Sequence, residues 1–165
     1  MDIQIRPGTD ADAKAVAALH TASWRTAYAG IMPEDYLHGT LEHDHQVIWL
    51  TRLTVGQAEG NLFVAESGGD VVGFIYLTPT PDGRVLIDNL HVDPTLKRGG
   101  IGSRLLRYGF DWAASEYPGR SVYLEVLQAN KPAIAFYERH GGRPSEPRIA
   151  HFTQGFELPE LEIAW

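Results

Sequence analysis

The stretch that decides the fold is LHVDPTLKRGGIGSRLL, residues 90–106. Its first residues close an apolar, β-branched run and its last ones open a helical pattern, so it reads as strand, loop, helix. Between them lie Lys97, Arg98, Gly99, Gly100, Ile101 and Gly102. The first N–H groups of a helix have no intrahelical partner, and the helix dipole adds partial positive charge at the same end. A backbone bared by glycine at that point suits an anion, phosphate above all. Two common phosphate loops do not fit. A dinucleotide fingerprint needs a glycine where Leu105 stands, and the Gly-Lys-Ser/Thr of a Walker A loop is absent from the chain. A strand-to-helix turn that uses glycine only for positive φ remains open, so the flanking sequence must decide.

Upstream, residues 3–7 alternate as a short strand, and Thr9 with Asp12 forms a capping pair for a helix over 10–23. A second helix is expected over 41–53, with Ile48, Trp49, Arg52 and Leu53 at three-to-four spacing. The aromatic segment between them, with Gly30 and Pro33, reads as an ordered loop or broken helix. Residues 61–66, 71–77 and 84–92 alternate as strands joined by turn residues, which predicts an antiparallel meander. After the glycine loop come a helix to about residue 116, a strand over 121–126, a helix opening at Asn130, and strands over 148–153 and 160–165.

At 165 residues and 44% hydrophobic content, the chain carries one core and is expected to form a single domain over 1–165. A formal net charge of −7 argues against a nucleic-acid partner. Against that background Lys97, Arg98, Arg104 and Arg107 stand out, which favours a small phosphorylated ligand, while the acidic remainder attracts a cationic co-substrate. The absence of cysteine excludes disulfides, thiolate zinc sites and a cysteine acyl-enzyme. No apolar run approaches the roughly 20 residues that span a bilayer, and the first ten residues lack signal-peptide order, so no membrane association and a cytoplasmic location are expected.

Residues 90–106, taken with LEVLQANKPAIAFYERHG at 124–141, resemble the GNAT superfamily of acetyl-CoA-dependent N-acyltransferases. The resemblance implies an α/β fold with a mixed, mostly antiparallel central sheet, splayed middle strands and flanking helices. It also implies direct acetyl transfer from acetyl-CoA to an amine, with no metal. The family's loop pattern falls on Lys97, Gly100 and Gly102, with lysine at a position commonly held by Gln or Arg. The N–H groups of Arg98, Gly100, Gly102 and Ser103 would hold the pyrophosphate within the cradle that Gly99 and Ile101 complete, and Lys97 and Arg98 would add charge. Ser103 would also cap the helix. The strand over 86–92 would part from that over 122–126, leaving room for the pantetheine arm against the backbone of Leu90, His91 and Val92. One N–H there would stabilise the developing oxyanion. Asn130 caps the next helix, and Tyr137, two turns on, returns to about the same face. The resemblance makes Asn130 a donor-binding residue and Tyr137 the acid for the departing thiolate, which suits a phenol of pKa about 10. The family usually follows this helix with Gly-Phe; here Gly142 stands in place of the aromatic and removes a core plug.

The general base is less defined. Glu66, Asp88, Glu125 and His91 are the candidates, with Asp88 and Glu125 named as catalytic beside Tyr137. Strand alternation sets Asp88 on the face of Leu86 and Leu90. Trp24, Tyr28 and Tyr36 either build the acceptor pocket, where aromatics receive an amine, or anchor the first helices to the sheet. His43 and His45 diverge on a helix and do not suggest a metal site. The expected acceptor is a small-molecule amine. A peptide or protein amine, or a noncatalytic acyl-CoA-binding domain, are the alternatives, and a sheet edge or the Trp165 end offers a surface for a homodimer.

Overall fold

The computed structural model describes residues 2–54 and 60–165. Apolar residues at alternate positions drive the first strands together: β1 (Gln4–Pro7), β2 (Asn61–Ser67), β3 (Asp70–Pro79) and β4 (Val85–Val92) pair antiparallel in that order. Beyond β4 the sheet continues through β5 (Val122–Leu127), β8 (Glu157–Ala164) and the two-residue β6 (Arg143–Pro144), with β7 (Arg148–His151) also paired on β8. All of these pairings are antiparallel except that of β4 with β5. This is the mixed, mostly antiparallel sheet expected from the sequence.

The parallel pairing is brief. Val85 lies opposite Val122 and Leu86 opposite Tyr123, the Val85 N–H donates to the Ser121 carbonyl at 2.9 Å, and no further pair follows. The ladder opens into a gap along the rest of β4. Helices α1 (Ala13–Ala27) and α3 (Leu41–Thr54) cover one face of the sheet, where Val16, Ala17, Leu19 and Trp49 pack on Leu62, Val64, Phe74 and Tyr76. Helices α4 (Ile101–Glu116) and α5 (Lys131–Arg139) cover the other, with Ile101, Leu105, Leu106 and Tyr137 on Ile75, Leu77, Val85 and Ile87. A third cluster, around Met32, Leu37, Leu41 and Leu127, closes the end of the sheet under the short α2 (Glu34–Leu37).

Two details depart from the sequence reading, and a third adds to it. First, α1 runs four residues past Ser23 and so carries Trp24, while Tyr28 caps its C-terminus. Secondly, β4 bulges: Tyr76 pairs with Asn89 and Leu77 with Ile87, which leaves Asp88 as the extra residue. The bulge resets the alternation, so Ile87 and Leu90 both face the α4 side, and Leu90 does not share the face of Leu86 and Asp88 as simple alternation requires. Thirdly, Trp165 folds back on its own chain. Its indole N–H donates to the His140 carbonyl at 2.8 Å, and its ring meets Phe110 and Tyr137 edge to face.

Trp165 also explains Gly142. A Cβ at that position would sit 2.5 Å from Ile163 Cγ2, 2.9 Å from the Trp165 ring and 3.0 Å from the Tyr137 carbonyl. The volume an aromatic side chain would fill is taken by the C-terminal tryptophan. Restoring the aromatic as Gly142→Phe therefore overpacks the site, and we expect a loss of about 1–3 kcal/mol in stability. Chemical denaturation checks this; an unchanged midpoint would show that Trp165 can yield the space.

Candidate active site

The glycine loop is shaped by backbone strain and a helix start. A short 3-10 turn, Pro94–Leu96, follows Asp93, whose carboxylate accepts from the Thr95 N–H at 2.9 Å. The chain then passes through Arg98 at φ 72° and Gly100 at φ 80°, both in the left-handed region. Arg98 is the one non-glycine residue with positive φ among the described residues, a conformation that costs a side-chain-bearing residue about 1–2 kcal/mol. The ladder of α4 begins where the Arg104 N–H donates to the Gly100 carbonyl at 3.1 Å, so the amides of Ile101, Gly102 and Ser103 lie ahead of it. A Cβ added at Gly100 would point into open space, so the requirement for glycine there is conformational rather than steric. Positive dipole, leading amides and adjacent Lys97 and Arg98 make an anion cradle.

Ser103 does not cap α4. Its hydroxyl lies 2.9 Å from His140 Nε2, and His140 Nδ1 lies 2.8 Å from the Phe136 carbonyl. A carbonyl can only accept, so Nδ1 carries the proton and the Ser103 hydroxyl donates to Nε2 in the neutral ring. This joins the start of α4 to the end of α5. Asn130 caps α5, its side-chain oxygen accepting from the Ala133 N–H at 3.4 Å. Tyr137, also on α5, is buried at 8% exposure. Burial and the neighbouring Tyr28 phenol push its pKa well above the usual tyrosine value. Burial likewise raises Tyr28, while the adjacent Asn130 side chain pulls it back. Tyr28 thus links Asn130 and Tyr137 into one neighbourhood.

On the other face of β4 lies a cavity of about 580 Å³. Trp24, His20, His45, Arg52, Asp88 and Asn89 line it, with Tyr36 and Gln154 at other parts of the wall. Trp24 and Tyr36, two of the aromatics expected for an acceptor pocket, line this cavity, whereas Tyr28 packs in the cluster at the end of the sheet. The candidate bases are all engaged. Asp88 pairs with Arg52 at 2.7 Å and accepts from Asn89 at 3.0 Å, both through Oδ2. Glu66 pairs with Arg6 at 2.8 Å, near the sheet edge. Glu125 pairs with Arg148; burial and the nearby Glu160 raise its pKa. Of these three, Asp88 lines the cavity.

His91 belongs to a feature that the sequence did not disclose. His20 and His45 stack with ring centroids 3.6 Å apart and planes within 4°, and His91 lies 4.7 Å from His20 on the other side. The Trp49 indole donates to His20 Nδ1 at 3.0 Å, Thr21 Oγ1 meets His45 Nδ1 at 2.9 Å, and Ser23 Oγ meets His91 Nδ1 at 2.8 Å. Burial lowers all three. His45 is brought to about 4, with Asp44 opposing the effect and Arg25 adding to it, His91 to about 3, with His45 and Lys97 adding to it, and His20 falls well below its usual value. The stack is neutral near pH 7. Among the described residues no group of three or more His, Asp or Glu side chains is placed to hold a metal ion, and no helix is long and apolar enough to cross a membrane.

The brief β4–β5 ladder, the glycine-rich start of the following helix and the cavity on the opposite face thus sit together in one mixed α/β sheet. The chain belongs to the acetyltransferase (GNAT) family, whose model matches residues 17–142. A probable N-acetyltransferase of Mycobacterium tuberculosis is 31% identical over 144 residues, 84% of this chain and 78% of that protein. A spermine/spermidine N(1)-acetyltransferase of Bacillus subtilis is 30% identical over 80 residues, 44% of this chain and 53% of its own length. Among solved structures, the PaiA N-acetyltransferase of Thermoplasma acidophilum, in complex with coenzyme A, superposes with a TM-score of 0.80 at 21% identity, covering all of both chains.

The histidine stack has a consequence for acid stability. Its folded pKa values lie below the unfolded value near 6.5, so the unfolded chain binds more protons as pH falls below that point, and stability declines with it. The contribution is fully present above pH 6.5 and is lost progressively toward pH 4 and 3, the folded values of His45 and His91. With three such rings, the unfolding free energy should fall by about 3–4 kcal/mol per pH unit near pH 5.5. Denaturant unfolding between pH 7 and 5 measures the slope; a flat profile would mean the stack already carries protons.

Proposed function

We propose that this N-acetyltransferase passes the acetyl group of acetyl-CoA directly to the amine of a small molecule, with no covalent enzyme intermediate. The observation that carries the reading is that two clefts meet at β4: the gap toward β5 on its edge, and the 580 Å³ cavity on its α1 and α3 face. A cavity of that size takes a metabolite-sized ligand. The coenzyme A held by the Thermoplasma neighbour supports the choice of donor.

Bound acetyl-CoA supplies an acyl group already activated as a thioester. The amides of Arg98, Gly100, Gly102 and Ser103 hold its pyrophosphate, with Lys97 and Arg98 adding charge and Gly99 and Ile101 completing the loop. The backbone of Leu90, His91 and Val92, which β5 leaves unpaired, receives the pantetheine arm as an added strand, and Asn130 faces it from the start of α5. Trp24 and Tyr36 flank the acceptor, with Tyr28 behind them. Asp88, whose Oδ1 is not taken up by Arg52 or Asn89, accepts the amine proton. Glu125 is the alternative base. Tyr137, protonated at neutral pH as an ordinary phenol is and held further from ionisation by burial, donates to the leaving sulfur.

Two measurements test this. Calorimetric titration should show selective binding of acetyl-CoA that is lost in Gly100→Glu, which adds a side chain and a negative charge to the cradle. Turnover with an amine panel should fall by about 100-fold or more in Tyr137→Phe, with acetyl-CoA affinity retained. No binding by folded wild type would withdraw the donor assignment, and intact turnover in Tyr137→Phe would withdraw the acid.

A further inference from the structure

Arg52 is held as a recognition group is held. It stands on α3 three residues after Trp49, on the same helix face. Its guanidinium carbon lies 5.0 Å from the Trp49 ring centroid and 4.8 Å from that of Tyr76, both buried rings. Asp88, brought forward by the β4 bulge, fixes its Nη2 at 2.7 Å. A guanidinium restrained by two aromatic neighbours and one carboxylate loses little rotamer freedom on binding, and it carries five N–H donors in a planar fork. Asp88 takes up one end of that fork. The rest borders the cavity, which Arg52 lines with a half-buried side chain.

The arginine, aspartate and glutamate side chains on the cavity wall are Arg52, Asp88 and Asp44. One cation and two anions together match a ligand that carries both signs, with its ammonium toward the aspartates and its anion on the arginine fork. Two carboxylates close by disfavour a dianion such as phosphate, while a carboxylate presents one charge on two coplanar oxygens and fits the fork. Resting on the small-amine reading above, we propose that the acceptor is an amino carboxylate, an amino acid or a close analogue, whose carboxylate is bound by Arg52. The ion pair then has two tasks. Arg52 sets specificity by holding the carboxylate, and Asp88 faces the amine. His20 and His45, neutral beside the same cavity, add no positive charge that would compete for the carboxylate or repel the ammonium.

The test is a matched acceptor panel with saturating acetyl-CoA: α-, β- and γ-amino acids of varied side chain, their carboxamides, and the amines left when the carboxylate is removed. Wild type should favour amino carboxylates over their amides by about 10- to 100-fold in kcat/KM, the worth of a charge-assisted contact. Arg52→Met should erase that preference, mainly by raising KM, with acetyl-CoA affinity unchanged. Arg52→Lys, which keeps the charge and loses the fork, should recover only part of it. Should Arg52→Met fail to fold, Arg52→Lys and the wild-type panel still decide. Amides or plain amines acetylated as well as the amino acids would overturn this inference and leave amine acetylation standing. No acetylation across the panel by protein that binds acetyl-CoA would overturn both.

Discussion

The constraint on which the rest of this structure depends is the early end of the ladder between β4 and β5. Two residue pairs join these strands, and then they part. Elsewhere in the sheet a strand edge is satisfied by its neighbour for most of its length, as in the five pairs between β5 and β8. Along the free part of β4 the amides and carbonyls face a gap, and buried backbone groups seldom remain unpaired. The sheet is thus built with an edge in its middle, which a ligand can complete and which no outer edge could offer within the same enclosure. The glycine loop that follows β4 starts α4 at the mouth of that gap, so one short stretch of chain supplies both the edge and the anion cradle.

The bulge at Asp88 divides labour across β4. Without an extra residue, strict alternation would place Leu90 on the face of Leu86, and either the α4 core would lose Leu90 and Val92 or the other face would lose His91. With it, Ile87, Leu90 and Val92 serve the core under α4, while Asp88, Asn89 and His91 face α1 and α3. Polar residues can then be concentrated on the cavity side without interrupting the apolar layer opposite. The same bulge projects Asp88 to Arg52, which connects a local backbone irregularity to the only arginine in the cavity wall among the described residues.

What could be read in the sequence follows from how local each signal is. Strand, glycine loop and helix over residues 90–106 are contiguous, and each step has its own physical cue, so the sheet, the glycine-led start of α4 and Asn130 as a cap were all legible. Thr9 and Asp12 also behave as read, the Asp12 carboxylate accepting from the Thr9 N–H at 2.8 Å while Arg6 lowers its pKa. The histidine stack was not legible because His20, His45 and His91 come from α1, α3 and β4, and only the packing of two helices on one strand brings them together. Arg52 was visible as part of a helical stripe but not as a site residue, since its partner depends on a bulge that shifts register by one. Ser103 was read as a cap because its local position permits it; its actual partner, His140, lies 37 residues on. Long-range side-chain pairing is where sequence periodicity carries no information.

Trp165 shows how such a pairing can reach a candidate site residue. Tyr137 lies beneath a ring contributed by the last residue of the chain, with Phe136 against its other side. The Trp165 backbone N–H is anchored to the Val122 carbonyl at 3.0 Å, beside the point where β4 and β5 part, and its indole ties to the end of α5. Part of the burial that raises the Tyr137 pKa is therefore supplied by a residue far from it in sequence, packed beside Gly142. Gly142 leaves room that Trp165 and Ile163 occupy, since a Cβ there would meet Ile163 at 2.5 Å and Trp165 at 2.9 Å. Desolvation by burial is the larger cause of the Tyr137 shift, ahead of the neighbouring Tyr28.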